Sequence, residues 1–319
     1  MTVGVTSLRW PSDRAVLLVH GIGNASPGDY ALLLQGVRDA LGPDADRTAI
    51  YQLFYDQVND WFAAKTSLGQ LLSQAVNALA GQINDPELGP SLAEVCGDVL
   101  WPVLVADARA AVREAYLAQL KQMVNDGVAA GVVSRDQKLS IICHSLGCFH
   151  TYEVLHHAAL FPSHQLQPPG VRFQNVIFMA SPVQLIRTVA SAMGSLVPNR
   201  RWLYTVQGDA LSIPAVQKLS GQPVTSVRNW ISITGDLDPV GGHFFRSREP
   251  WAYMDLGATQ ISLIDRQDAL NISTKAQLAQ ALRASLRDRE PPFITLGNPH
   301  SWENYVAGHA AELRQWITT

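Results

Sequence analysis

The 319-residue chain is poor in charge: 16% of its residues are charged, against 47% hydrophobic. Lys and Arg number 24 and Asp and Glu 27, which leaves a formal charge of −3. Without a basic excess the surface cannot neutralise a phosphate backbone, so nucleic acid is excluded as a partner. No uninterrupted apolar run reaches about eighteen residues, which excludes a membrane-spanning helix. Residues 1–14 carry Arg9, Asp13 and Arg14 around a weakly apolar stretch. A charged start, a long apolar centre and a cleavage site are all missing there, so the stretch does not read as a signal peptide. Cysteine is scarce. Cys96, Cys143 and Cys148 are too few and too oddly numbered for a disulfide framework, and no second Cys or His pair stands at zinc-ligand spacing. These counts predict a metal-free protein of a reducing, cytoplasmic compartment. The apolar content in turn excludes a disordered chain, because enough surface is buried to offset the entropy of ordering.

What is present begins with a continuous apolar run at 14–20 (RAVLLVH), ending in the glycine turn Gly21-Ile22-Gly23-Asn24. Short continuous runs rich in β-branched residues suit strands buried on both faces of a parallel sheet. The next segment, 30–41, has helical spacing at Leu32, Leu33, Val37 and Leu41. Similar strands are expected at 49–55, 138–143, 172–179 and 227–234, and helical stretches separate several of them. That alternation predicts an α/β fold, a mostly parallel sheet flanked by helices. A last helix is expected at 301–317.

Two segments interrupt the alternation. Residues 56–137 are mostly helical in pattern, with one apolar face at Leu68, Leu72, Val76 and Leu79 and another at Val105, Ala108, Val112, Tyr116, Leu120 and Met123. Either these helices pack on the sheet as core, or they form a cap or lid over a pocket; amphipathic spacing does not say which. Residues 243–299 form the second insertion, with a strand expected at 260–264 and a helical stretch at 273–286. No repeat or linker divides the chain, so it is read as one domain.

The chemistry concentrates at 139–148 (LSIICHSLGC), a buried strand followed by a small-His-Ser-x-Gly turn and then a helix over 149–160. A serine on such a turn has its hydroxyl exposed above the sheet edge, at a helix N-terminus that favours negative charge. The alternative is an ordinary buried serine in a βα turn.

Together, HGIGN at 20–24, CHSLG at 143–147 and DPVGG at 238–242 resemble the α/β-hydrolase superfamily, in particular its serine esterases and lipases. The motifs fall in that superfamily's chain order. Cys143 departs from the pattern, standing where the first glycine usually lies, and the insertions depart from it as well. The resemblance implies an α/β-hydrolase fold with an inserted helical cap, and a nucleophile at Ser145.

It also implies an order of serine, acid, histidine. The acid then follows the strand at 227–234, where Asp236 and Asp238 stand in GDLDPVGG. Asp238 is preferred for its Asp-Pro-Val-Gly context and for the stiffness of Pro239, with Asp236 capping the turn. Of nine histidines, His20 belongs to the oxyanion turn and His144, beside the nucleophile, is expected to point elsewhere. His150, His156 and His157 lie on the helix after the elbow, His164 beyond it, and His309 mid-helix near the end. His300, in GNPHSW just before the last helix, is where the superfamily carries its base; His243 follows Asp238 too soon. By the same resemblance the oxyanion donors are the backbone N–H groups of Leu146 and Ile22.

No Lys follows the glycines of 21–23, which excludes a phosphate-binding loop, and no cofactor is implied. Cys148 reads as a small buried thiol. Trp61, Phe62, Trp101, Trp202, Phe244, Phe245 and Trp251 either line an apolar pocket or fill the core. The expected activity is a serine esterase working on a small-molecule or lipid ester. The alternatives are a lipase or phospholipase with an interfacial lid, and a hydrolase-fold protein that binds without catalysis.

Overall fold

The computed structural model describes residues 5–21, 27–55, 106–160, 173–182, 227–234, 262–267 and 300–319. Six strands form one sheet: β1 (Arg14–Val19), β2 (Ala49–Leu53), β3 (Lys138–His144), β4 (Phe173–Met179), β5 (Val227–Thr234) and β6 (Ser262–Gln267). Their order is β2-β1-β3-β4-β5-β6, and every neighbouring pair runs parallel. The helices are α1 (Pro27–Leu41), α2 (Ala106–Ala129), α3 (Leu146–Leu160), α4 (Trp302–Gly308) and α5 (Ala310–Thr318). The expected α/β class is therefore the observed one. Among the described residues no helix is long and apolar enough to cross a membrane.

The strands are apolar on both sides because both sides are covered. Alternate residues of β1 divide between two cores. Ala15, Leu17 and Val19 join α2 and α3 residues such as Val112, Tyr116, Phe149 and Tyr152. Val16 and Leu18 join α1, α4 and α5 through Leu33, Val37, Tyr305 and Leu313. A register shift between Leu139 and Ser140 breaks this alternation where β3 meets β4. There a polar seam crosses the sheet. Asn175 donates to Ser140 Oγ (3.2 Å) and to the Trp316 carbonyl (2.6 Å), and accepts from Asn229 Nδ2 (2.9 Å). The seam ties α5 to the middle of the sheet.

Helix α2 carries the second amphipathic face expected within 56–137. Ala108, Val112, Tyr116, Leu120 and Met123 are all buried, and most of them pack into the core shared with β1 and β3. This stretch is core, not cover. Residues 56–105, with the other face, lie outside the described residues. Several boundaries differ from expectation. β2 ends at Leu53 and α3 starts at Leu146, against the expected 55 and 149. The strand expected at 260–264 runs at Ser262–Gln267. The single helix expected at 301–317 is two, broken at His309 (φ −119°, ψ 21°). At the break the His309 side chain bonds Glu312, and its backbone N–H still reaches the Tyr305 carbonyl (3.2 Å).

The sheet order places a switch between β1 and β3. The chain leaves β1 towards β2 on one side, then returns to the other side for β3 and moves on to β6. Ligand sites in open parallel sheets lie at the carboxyl ends of the strands beside such a switch. Ser145 follows β3 at that point.

Candidate active site

Ser145 sits between β3 and α3 with φ of 52°, the left-handed region that a residue with a Cβ adopts at a cost. Its neighbours hold it there. Ser145 N donates to the Met179 carbonyl of β4 (3.0 Å), and the Ser145 carbonyl accepts from Cys148 N (2.9 Å), closing the first turn of α3. Gly147 is required by β1: a Cβ on it would stand 2.6 Å from the His20 carbonyl oxygen and closer still to that of Val19. Cys143, in place of the first glycine, is buried, and its thiol donates to the Ile177 carbonyl (3.2 Å). The side chain is therefore accommodated by β4 and the turn survives. Cys148 is buried too, as expected, against the Met179 carbonyl.

The turn after β1 lies directly against the serine. A Cβ on Gly21 would overlap Ser145 Cβ and come within 2.9 Å of its Oγ. Only a glycine lets this backbone approach so closely. Tyr55 Oη donates to the His20 carbonyl (2.6 Å), and His20 Nδ1 donates to the Gly21 carbonyl (2.6 Å). The end of β2 thereby fixes the turn beyond β1.

His300 lies in the turn before α4, half-buried, with its Nε2 2.8 Å from Ser145 Oγ. The two side chains are 155 residues apart in sequence and meet because α4 packs on the face of the sheet away from α3. A neutral imidazole nitrogen at that distance accepts the hydroxyl proton. Leu146 opens α3, so its N–H is among those without a partner inside the helix.

Ser145, His300 and Leu146 are thus brought together. Asp238, its alternative Asp236, the donor Ile22 and the rejected His243 lie outside the described residues, as do the aromatic residues 61, 62, 101, 202, 244, 245 and 251. Among the described residues no group of three or more His, Cys, Asp or Glu stands ready to hold a metal.

One residue was misjudged from sequence. His144 does not point away from the site: its Nε2 lies 2.7 Å from the His300 carbonyl oxygen. Its ring centroid is 4.8 Å from that of His300 and 5.8 Å from those of His20 and Trp302. Burial, with His300 and His20 beside it, holds its pKa well below the usual imidazole value. It is a neutral ring. The only sequence signal was a histidine next to the serine at a strand end.

No family model matches the chain, and no curated protein matches it in sequence. Among solved structures it is similar to esterase B from Lactobacillus rhamnosis. For the C6-C4 SN3-inhibited form the identity is 13% and the TM-score 0.44, over 97% of this chain and 77% of that one. For the form inhibited with the C4-C4 SN3 tributyrin phosphonate, the identity is 13% and the TM-score 0.41, over 88% and 78%. A third structure of the same esterase has 12% identity and a TM-score of 0.38, over 86% and 77%. The fold is α/β, a parallel sheet flanked by helices with a strained serine turn at its switch point.

Proposed function

We propose that the chain is a serine hydrolase that cleaves carboxylic esters, working as one α/β-hydrolase domain with insertions at 56–137 and 243–299. The observation that carries the reading is the 2.8 Å approach of His300 Nε2 to Ser145 Oγ, on a turn strained at a helix N-terminus. A serine hydroxyl is a weak nucleophile until a positioned base takes its proton. Ser145 Oγ attacks the ester carbonyl carbon while its proton passes to His300 Nε2. The tetrahedral intermediate then expels the alcohol, which leaves with that proton. Water repeats the two steps on the acyl-enzyme and frees the acid and Ser145.

Charge developing on the carbonyl oxygen is assigned to the Leu146 and Ile22 N–H groups, supported by the place of Leu146 at the start of α3 and the closeness of Gly21 to the serine. Asp238 is the proposed partner of His300 Nδ1–H, keeping Nε2 free to accept. A small-molecule or lipid ester is the substrate class.

The test is to treat the purified protein with a fluorophosphonate and map the adduct, alongside hydrolysis of a short-chain ester. An adduct on Ser145 and a loss on the order of 10⁶ in kcat for Ser145→Ala are expected. An unlabelled Ser145 in a protein that hydrolyses no ester would leave a binding protein on a hydrolase fold, and a Ser145→Ala protein that keeps activity would remove Ser145 as the nucleophile.

A further inference from the structure

His144 is the last residue of β3, and its side chain leaves the sheet on the face opposite Cys143. It enters a box of rings formed by His20, His300, Trp302 and Tyr305, with Trp302 almost perpendicular to it at 86°. Inside the box its polar contact among the described residues is Nε2 to the His300 carbonyl oxygen at 2.7 Å. A carbonyl only accepts, so the proton is on Nε2 and Nδ1 is bare. That Nδ1 is buried and has no hydrogen-bond partner among the described residues. The one donor of the ring is spent on the main chain of His300.

The His300 carbonyl stands one residue before the cap of α4. Ser301 caps α4 by accepting from Asn304 N at 3.4 Å, and its carbonyl accepts from Tyr305 N at 3.4 Å. Bonds of that length are at the weak end of the range, whereas 2.7 Å is short for N–H···O. We propose that His144 is a positioning residue: its Nε2–H holds the His300 carbonyl, so that the strand end carrying the nucleophile also sets where the base stands. His144 has this role if Ser145 and His300 are nucleophile and base, as read above. The consequence for rate is large, because misplacing a catalytic group by about 1 Å costs on the order of 10²-fold.

A histidine is suited to the position. Lys or Arg would place a fixed cation beside His300, whose ring must itself become cationic when it takes the serine proton. His144 donates without charge, and its buried setting keeps it neutral. A Ser or Asn at a strand end is too short to span from β3 to the turn before α4.

Two substitutions separate the hydrogen bond from the packing. His144→Phe keeps a ring in the box and removes the donor; His144→Gln keeps an N–H donor near the position of Nε2. For His144→Phe, kcat on a short-chain ester and the rate of fluorophosphonate labelling of Ser145 should both fall on the order of 10²-fold, with KM little changed. His144→Gln should recover most of that loss. Full activity in His144→Phe overturns the proposal, and so does a folded His144→Gln as inactive as His144→Phe, which would leave only the fit of the ring. If both variants fail to fold, nitrogen NMR of the wild-type imidazoles decides: His144 must be the Nε2–H tautomer, and finding the proton on Nδ1 overturns the proposal. A wild type that takes no fluorophosphonate removes the esterase reading and this role with it. A labelled wild type beside an unaffected His144→Phe removes this role alone.

Discussion

Ser145 and Gly21 show how much of the site depends on one backbone approaching another. Ser145 has φ of 52° with a Cβ in place, a conformation that costs on the order of 1–3 kcal/mol and persists only where surrounding bonds impose it. Those bonds are the Met179 carbonyl on one side and the first turn of α3 on the other. Gly21 closes the third side, near enough that a methyl group there overlaps Ser145 Cβ. Gly21→Ala therefore has to displace either the serine or the turn after β1, and both lie at the proposed reaction centre. We expect this substitution to lower kcat by at least about 10²-fold, since it moves Ser145 off His300, while far-UV circular dichroism stays near that of the wild type. A Gly21→Ala protein with full activity would mean that the turn moves freely and has no part in holding the serine or the oxyanion.

At the scale of elements, the strands were legible because each is a short apolar run covered on both faces, and β1, β3, β4 and β5 fall where the sequence expects them to within a residue or so. The serine turn was legible for the same reason: glycine and serine between a strand and a helix leave few alternatives. Other features depend on contacts that periodicity does not carry. The apolar positions Tyr305, Val306, Leu313 and Ile317 run in helical step across the break at His309, so one long helix and two short ones give the same pattern. The polar seam at Ser140, Asn175 and Asn229 looks like interruption in sequence and is satisfied only across three strands and α5. The hold of His144 on His300 spans 156 residues. The proposed acid also belongs to this scale. β5 lies two strands from β3, a separation of about 10 Å. Four residues of chain beyond Thr234 reach up to about 14 Å and two reach about 7 Å, which favours Asp238 over Asp236, and Pro239 stiffens the loop. Asp238→Asn should lower kcat on the order of 10⁴-fold by leaving His300 in the wrong tautomer, and Asp236→Asn far less. The reverse ranking in steady-state kinetics would move the acid to Asp236.

At the scale of the whole molecule, an acid sensitivity is expected from the helix that follows Ser145. His150, one turn into α3, is fully buried against Tyr55 and Phe149, with ring centroids at 4.7 Å and 5.5 Å. Among the described residues neither ring nitrogen has a hydrogen-bond partner. Burial, with the Arg109 guanidinium nearby, pushes its pKa from 6.5 down to about 3. Unfolding releases the ring into water, where it takes a proton below about 6.5 that the folded chain refuses. Between those two values the unfolded state binds the extra proton, so stability is complete above about 6.5, falls on acidification, and the loss is finished near about 3. The limiting slope is about 1.4 kcal/mol per pH unit, so moving from pH 7 to pH 5 costs about 2 kcal/mol. Glu153, paired with Arg113 at 3.0 Å, acts in the opposite direction because burial raises its pKa above 4.5. A difference between two proteins that both carry Glu153 removes that contribution. His150→Leu replaces two unsatisfied buried nitrogens by an apolar side chain of similar volume, a change that is often neutral or stabilising. Urea unfolding of the wild type and of His150→Leu at pH 7 and pH 5 measures the effect. The wild type should lose about 2 kcal/mol more than the variant over that interval. Equal losses would mean that His150 is protonated in the folded chain, which requires a partner or a route for water into the core between α2 and α3.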